Sequence, residues 1–192
     1  DATERIFGVV LQEGGQPFDL AIHFSGVYLV IEAEPSVIEP DVNSGEMVRL
    51  MLARVRKTRG ILELAQEATR QVKVLTGFDR VMVYRFHADG SGEVIAEVAG
   101  AGLETFLGLH YPASDIPAQA RTLYTRNWLR IIADINAKPV PLLSTATHSA
   151  QLLDLSMSTL RSVSPVHIEY LQNMGVGASM SVSILREGLT AL

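Results

Sequence analysis

A short segment with two prolines around one carboxylate is the part of the sequence best suited to chemistry. It reads Tyr-Pro-Ala-Ser-Asp-Ile-Pro over residues 111–117. Because proline restricts the backbone at its own position and at the residue before it, Asp115 and its carbonyl are expected to be held rigidly. A helix cap is an equally good interpretation of Ser-Asp-Ile-Pro taken alone. The local sequence leaves both interpretations open.

Basic and hydroxyl side chains follow this segment in the chain. They are Arg130, Arg161, His167, Ser179 and Ser181. A helix is predicted over residues 158–174, where Pro165 is expected to introduce a kink. The two serines lie two residues apart on a predicted strand and therefore share one side of it. Two guanidinium groups, hydroxyls and an imidazole around a rigid loop suit a ligand with two carboxylates and a ring system.

Other kinds of site find little support in the sequence. No glycine-rich phosphate loop is recognisable, because the Gly-Ser-Gly over residues 90–92 lies in a predicted hairpin and not between a strand and a helix. The five histidines show no paired helical spacing suited to a metal ion. A triad of Ser164, His167 and Asp115 could be nominated, but no nucleophile elbow surrounds the serine. We therefore expect neither catalytic residues nor a metal site.

The elements that must position these residues follow an α+β pattern. Strands are predicted at 5–10, 18–23, 27–34, 80–86, 93–98, 129–133 and 179–185, from β-branched and aromatic residues between turn signals. Helical spacing over Glu46–Thr76 predicts one bent helix or two in series, because Gly60 weakens the middle. A further helix is predicted from Pro117 to Arg126. Strands combined with helices in this order favour helices packed on an antiparallel sheet.

Composition excludes several classes of protein. The 192 residues carry a formal net charge of −5, so no electrostatic argument favours nucleic acid as a partner. No apolar run approaches the ~20 residues of a membrane helix, so no membrane association is expected. Cysteine is absent, which excludes disulfides and thiolate chemistry in this sequence. A cytoplasmic location is expected.

Five segments in order resemble the GAF domain of bacteriophytochromes, over about residues 46–186. They are Arg80–Phe86, Gly92–Glu97, Tyr111–Pro117, Leu129–Asp134 and Leu160–Leu171. Residues 1–35 resemble the last strands of the preceding PAS domain. The resemblance implies the C-terminal strands of a partial PAS-type sheet over residues 1–38. It implies a GAF-type antiparallel sheet flanked by helices over residues 39–192, without the family's last strand.

The resemblance also implies a function. The chain would be a fragment of a red/far-red photoreceptor that binds biliverdin, a bilin, and signals through photoisomerisation of the pigment. The fragment itself would turn over no substrate. The full-length parent would be a light-regulated sensor histidine kinase that acts on a response regulator. A homodimer would form through the helix at residues 46–76.

Each site residue is implied by its match to a motif of the family. The Asp115 carbonyl, with Ile116 beside it, would accept hydrogen bonds from pyrrole N–H groups, and His167 would lie next to the inner rings. Arg130 and Arg161 would pair with the propionates, assisted by Tyr124, Ser164, Ser179 and Ser181. The terminal-ring pocket would be lined by Tyr84, Met82, Tyr111, Met174 and Tyr170.

One departure from the family changes the expected mode of binding. Bacteriophytochromes attach biliverdin through a cysteine, and this sequence contains none. In this chain as given biliverdin would therefore be bound noncovalently, unless the attaching segment, which lies upstream in the family, was removed. Three alternatives stay open at this point: a GAF module for another ligand such as a cyclic nucleotide, a module that only dimerises, and an engineered near-infrared fluorescent derivative.

Overall fold

The computed structural model describes residues 3–37, 44–143 and 153–185. In chain order its elements are β1 Glu4–Val10, β2 Pro17–Ser25, β3 Tyr28–Pro35, α1 Ser44–Val55, α2 Ile61–Thr76, β4 Arg80–Phe86, β5 Gly92–Ala99, β6 His110–Tyr111, α3 Ala118–Arg126, β7 Leu129–Ile132, α4 Pro165–Asn173 and β8 Ser179–Val182. Within the described ranges every strand pairing is antiparallel, in the orders β1-β2-β3, β4-β5-β6 and β7-β8. The predicted α+β class is confirmed.

The chain divides into two compact units, which are described separately below. The first unit contains residues 1–38 and 126–183, and the second contains residues 39–125 and 184–192. The first unit therefore combines the β1–β3 sheet with the β7–β8 pair and α4, whereas the second holds the β4–β6 sheet and α1 to α3. In the part of the chain that the structure describes, no helix is both long and apolar enough to cross a membrane.

The predicted helix over Glu46–Thr76 is two helices in series. They are α1 and α2, and the chain leaves helical geometry between them at residues 56–60. At the far end Gly77 adopts φ 69°, and its N–H donates to the Lys73 carbonyl at 2.9 Å, which ends α2. α2 buries Ala65 against a small core with residues of β4 and β5. The second unit is organised around this contact.

The predicted helix over residues 158–174 is wrong in its first part. α4 begins at Pro165, and residues 158–164 are irregular. Proline suits the first position of a helix, and it disfavours helical geometry at the residue before it. The Ser164 hydroxyl oxygen caps the helix by accepting from the His167 N–H at 3.3 Å. Pro165 therefore starts the helix and does not kink it, and Arg161 lies ahead of the helix.

A buried carboxylate on β3 fixes the irregular segment that leads to Arg161. One oxygen of Glu32 accepts from the Thr159 N–H at 3.0 Å, and the other accepts from the Leu160 N–H at 2.6 Å. Glu32 is only 9% exposed. These bonds satisfy two backbone donors in a stretch without regular structure, and they restrain the residue just before Arg161.

Replacing the Glu32 carboxylate by an amide tests whether it anchors the backbone at residues 159 and 160. In Glu32→Gln one oxygen becomes an NH₂ group that faces a backbone N–H donor, so one bond is lost and a donor is left unpaired. We expect the free energy of unfolding to fall by about 1–3 kcal/mol in urea denaturation. Glu34→Gln, at an exposed position of the same strand, is the matched control. Equal stability of the two variants would contradict the anchoring role.

Candidate functional site

The pairing of β7 with β8 brings three predicted site residues to one face. Arg130 lies directly opposite Ser181, and Ile132 lies opposite Ser179. Side chains alternate along a strand, and directly opposed residues point the same way. Arg130, Ser179 and Ser181 therefore share one side of this pair, and all three are half-buried.

Two guanidinium groups act on the imidazole of His167. Partial removal of the ring from water is the largest cause that lowers the pKa of His167 below its ordinary value, although the side chain as a whole is exposed. The positive charges of Arg130 and then Arg161 lower that pKa further. We call Arg130, Arg161 and His167 the basic cluster. It combines two permanent cations with one group that can gain a proton.

The remaining predicted residues of the first unit lie on or beside α4. The Tyr170 ring stacks on the His167 ring, with centroids 6.3 Å apart and planes inclined by 13°. Ser164 caps the start of the helix, and Met174 lies at its end, where its N–H donates to the Tyr170 carbonyl at 3.2 Å. The Tyr170 ring therefore lies next to the basic cluster, because its stacking partner His167 belongs to that cluster.

In the second unit, Asp115 lies in a tight turn ahead of α3. Its N–H donates to the Pro112 carbonyl at 3.1 Å, and its side chain is exposed. The guanidinium of Arg121 donates to the Ala113 carbonyl at 3.1 Å and to the Ile116 carbonyl. Arg121 on α3 therefore also holds the rigid turn that the two prolines predict. We call residues 112–117 the aspartyl turn.

Sequence reasoning missed Arg121. Its guanidinium also reaches the Gly90 carbonyl at 3.5 Å, at the limit of a hydrogen bond, so it touches both the aspartyl turn and the β4–β5 hairpin. The only available signal was its spacing, since Arg121 follows Pro117 by four residues on the predicted helix. That spacing places it one turn from the helix start but does not identify the carbonyls it would contact.

The predicted tyrosines of the second unit form an aromatic cluster. The ring centroid of Tyr84 lies 5.8 Å from that of Tyr111 and 5.1 Å from that of Phe86. Phe86 in turn lies 5.9 Å from Tyr124, so this unpredicted phenylalanine joins the three tyrosines. Met82 alternates onto the same side of β4 as Tyr84 and Phe86. All of these contacts lie in the typical range for aromatic pairs.

The aspartyl turn and the aromatic cluster are electrostatically connected. Burial is the largest cause that raises the pKa of the Tyr111 phenol. The negative charges of Asp115 and Glu97 raise that pKa further, whereas Arg80 opposes them. Tyr111 therefore stays protonated and can act as a hydrogen-bond donor at neutral pH.

The Tyr84 ring packs directly against Gly92. A Cβ atom placed on Gly92 would come within 2.1 Å of the ring, far inside van der Waals contact. Gly92 pairs with Phe86 on one side and with Tyr111 on the other, so these neighbours restrict where the ring could move. Only glycine permits this packing of the cluster.

Adding a methyl group at this glycine tests the packing. In Gly92→Ala we expect the Tyr84 ring to be displaced and the free energy of unfolding to fall by about 1–3 kcal/mol, the usual cost of overpacking. Near-ultraviolet circular dichroism reports the tyrosine environment, and urea denaturation reports stability. Gly60→Ala is the control, because a Cβ there meets nothing within 4 Å. An unchanged tyrosine signal in Gly92→Ala would contradict the assignment.

The basic cluster predicts a pH dependence. The folded pKa of His167 lies below its ordinary value of 6.5, so the unfolded chain binds more protons as the pH falls from about 6.5 through the folded pKa. Stability against unfolding should therefore decrease over that window.

Arg161→Gln should raise the pKa of His167, since one repelling charge is removed. Ring-proton NMR titration measures this, with Arg126→Gln as control. A pKa that Arg161→Gln leaves unchanged would contradict the cluster.

Comparisons with known proteins agree on one group. Residues 60–190 match the GAF domain family. Cyanobacterial phytochrome B from Nostoc sp. is 47% identical over 173 residues, which are 88% of this chain and 23% of that protein. A bacteriophytochrome from Pseudomonas aeruginosa is 50% identical over 141 residues, 72% of this chain and 19% of that protein. The chain therefore spans less than a quarter of either relative.

Solved structures give the same answer. The chromophore-binding domain of Stigmatella aurantiaca phytochrome P1 superposes with a TM-score of 0.85 at 46% identity, covering 92% of this chain and 59% of that one. A bacteriophytochrome from the photosynthetic bacterium R. palustris superposes with a TM-score of 0.85 at 39% identity, covering 99% and 38% respectively. At these identities the likeness extends beyond the fold to the sequence.

Proposed function

This chain belongs to the GAF family, as a domain of the phytochrome type, and on that premise we propose that it binds a bilin as the pigment of a red/far-red light sensor. The membership itself confirms the resemblance that the five sequence segments indicated. The pigment would supply light absorption and the isomerisation of a double bond. The contribution of the chain is to bind, orient and protonate it.

The basic cluster is the observation that carries this proposal. A bilin has two propionate groups, and Arg130 and Arg161 supply two guanidinium groups near one imidazole. Ser179 and Ser181 present hydroxyls on the same face as Arg130. Guanidinium–carboxylate pairs are among the strongest hydrogen-bonded ion pairs, and the neighbouring hydroxyls can satisfy further lone pairs. A dianionic ligand would stabilise this concentration of positive charge.

The imidazole of His167 would serve the inner rings. Its lowered pKa keeps it neutral at physiological pH, so it can both accept and donate a hydrogen bond through its two nitrogens. Carboxylates next to Arg130 and Arg161 would offset their charges and raise that pKa. Ser164 holds the first turn of α4 in place by accepting from the His167 N–H. The stacked Tyr170 ring limits rotation of the imidazole.

The aspartyl turn and the aromatic cluster would contact the rest of the pigment. The turn holds the Asp115 carbonyl in a fixed position, as an acceptor for pyrrole N–H groups, with Ile116 beside it. The terminal ring would contact aromatic and thioether side chains. The proposed set is Tyr84, Met82, Tyr111, Tyr170 and Met174, whereas Tyr124 would assist the propionates.

We propose biliverdin as the bilin, bound noncovalently. The sequence contains no cysteine that could form a thioether to the pigment. Affinity would therefore depend on ion pairs, hydrogen bonds and ring packing alone. For that reason, removal of one guanidinium should weaken binding more than it would in a covalently attached relative.

The wider assembly is also a proposal. Residues 1–38 would be the end of a PAS domain and residues 39–192 the GAF domain; β1–β3 pair only with one another among the described strands, although they form one compact unit with residues 126–183. α1 exposes Met47, Val48, Leu50 and Leu52, apolar side chains that favour a homodimer through residues 46–76. In the longer protein, the signal would pass to a histidine kinase and a response regulator in the cytoplasm.

Absorption spectroscopy with added biliverdin tests the proposal. We expect a sharpened, red-shifted band that saturates at one pigment per chain, because a protonated pigment in a fixed conformation absorbs further to the red. Arg161→Gln should weaken binding at least roughly tenfold, the loss of one charge-assisted bond. Arg126→Gln should bind like the original chain.

Two results would contradict bilin binding. One is a spectrum identical to that of free biliverdin, and the other is equal weakening in both arginine variants. A saturable affinity for a cyclic nucleotide without a bilin spectrum would favour a GAF module of a different ligand class.

A further inference from the structure

Two histidines far apart in sequence meet one carboxylate in the second unit. Glu93 on β5 pairs directly with His110 on β6 and with Arg85 on β4. His87 lies two residues beyond Arg85, at the start of the β4–β5 hairpin, where its N–H donates to the Ser91 carbonyl at 2.8 Å. Strand pairing therefore brings together an imidazole–carboxylate–imidazole group that helical spacing could not reveal.

The distances leave room for an ion. The Nε2 atom of His87 lies 3.6 Å from one oxygen of Glu93, and the Nε2 atom of His110 lies 3.9 Å from the other. Both separations exceed the 2.7–3.2 Å of a direct N–H···O hydrogen bond. Ligand atoms around a tetrahedral Zn²⁺ lie about 2.0–2.2 Å from the metal, and therefore roughly 3.2–3.6 Å from one another. A small contraction would bring the group to that geometry.

We propose that His87, Glu93 and His110 bind a divalent cation of the Zn²⁺ class. Their candidate ligand atoms all lie within 4.8 Å of one another. The imidazole rings are nearly parallel, with planes inclined by 9° and centroids 6.2 Å apart, and each directs an Nε2 atom at the carboxylate. Two imidazoles and one carboxylate form a three-ligand set of the kind that zinc sites with an open position use.

The ligand types determine which ions fit. Imidazole nitrogen suits Zn²⁺, Cu²⁺ and Ni²⁺, whereas Mg²⁺ and Ca²⁺ require oxygen ligands. Exposed fractions of 34% for His87, 23% for Glu93 and 66% for His110 leave the fourth position open to water. A site this open would exchange its ion freely.

Arg85 acts as an orienting partner and as a limit on affinity. Its guanidinium contacts, at 2.7 Å, the same oxygen of Glu93 that lies nearest His87, and this contact restrains the carboxylate. Partners behind a ligand commonly set its orientation. The positive charge of Arg85 also repels a cation, so affinity should be moderate.

Binding would connect three chain segments. β4 and β5 already form a long hairpin, but β6 contains only His110 and Tyr111 and adds only two residue pairs to the sheet. An ion shared by the hairpin and β6 would stabilise this short strand, and with it the residue that precedes the aspartyl turn. Zn²⁺ should therefore raise the thermal stability of the chain.

Titration calorimetry with ZnCl₂ on the purified, tag-free and pigment-free chain tests the proposal independently of bilin binding. We expect one Zn²⁺ per chain, no binding of Mg²⁺, and at least roughly tenfold weaker binding in His87→Ala and in His110→Ala. Glu34→Gln, which removes an exposed carboxylate of the first unit, should bind Zn²⁺ like the original chain. At about 100 times the dissociation constant, Zn²⁺ should raise the Tm by roughly 5–10 °C.

Three outcomes would overturn the site. They are no saturable Zn²⁺ binding by the original chain, undiminished binding in both alanine variants, and Mg²⁺ binding of equal strength. X-ray absorption on the Zn²⁺-loaded original chain does not depend on any variant folding. It should show two imidazole nitrogens and carboxylate oxygen at about 2.0–2.2 Å, and a shell without imidazole would equally overturn the proposal.

Discussion

Burial, and then the positive charges of Arg130 and Arg161, lower the pKa of His167, and the proposed function depends on this grouping of two guanidinium groups around one imidazole. Each group of the cluster is held by the backbone around it: Arg130 by strand pairing, Arg161 by the bonds of Glu32 to the two residues before it, and His167 by the helix that Pro165 starts. A ligand with two carboxylates would pair with both guanidinium groups, which is the basis of the proposed binding site.

Positioning in both units comes from ionised side chains that bind irregular backbone. Glu32 on β3 binds the backbone at residues 159 and 160 and so fixes the approach to Arg161. Arg121 on α3 binds carbonyls of the aspartyl turn in the same manner. In each case an ionised side chain satisfies backbone groups that no helix or strand satisfies. Irregular backbone held this way can present a side chain or carbonyl at a constant place, as ligand binding requires.

Sequence patterns predicted the elements well where periodicity is local. The strands and the two-part helix broken near Gly60 follow from alternation, helical spacing and turn residues. The predicted start of α4 was wrong because Pro165 begins the helix and does not kink a longer one. β6 is too short for any pattern, and Phe86 and Arg121 act through partners that only the folded chain reveals. The meeting of His87 with His110 likewise depends on sheet register, which spacing along one strand cannot supply.

In the proposed function the basic cluster would recognise the two acidic groups of the ligand, and esterification removes those charges with little change to the ring system. The most direct measurement compares the affinity of the chain for biliverdin with its affinity for biliverdin dimethyl ester, by absorption titration under identical conditions. The account predicts far tighter binding of the free acid, and a smaller difference between the two pigments when Arg161 is replaced by Gln. Equal affinities for both pigments in the original chain would contradict it.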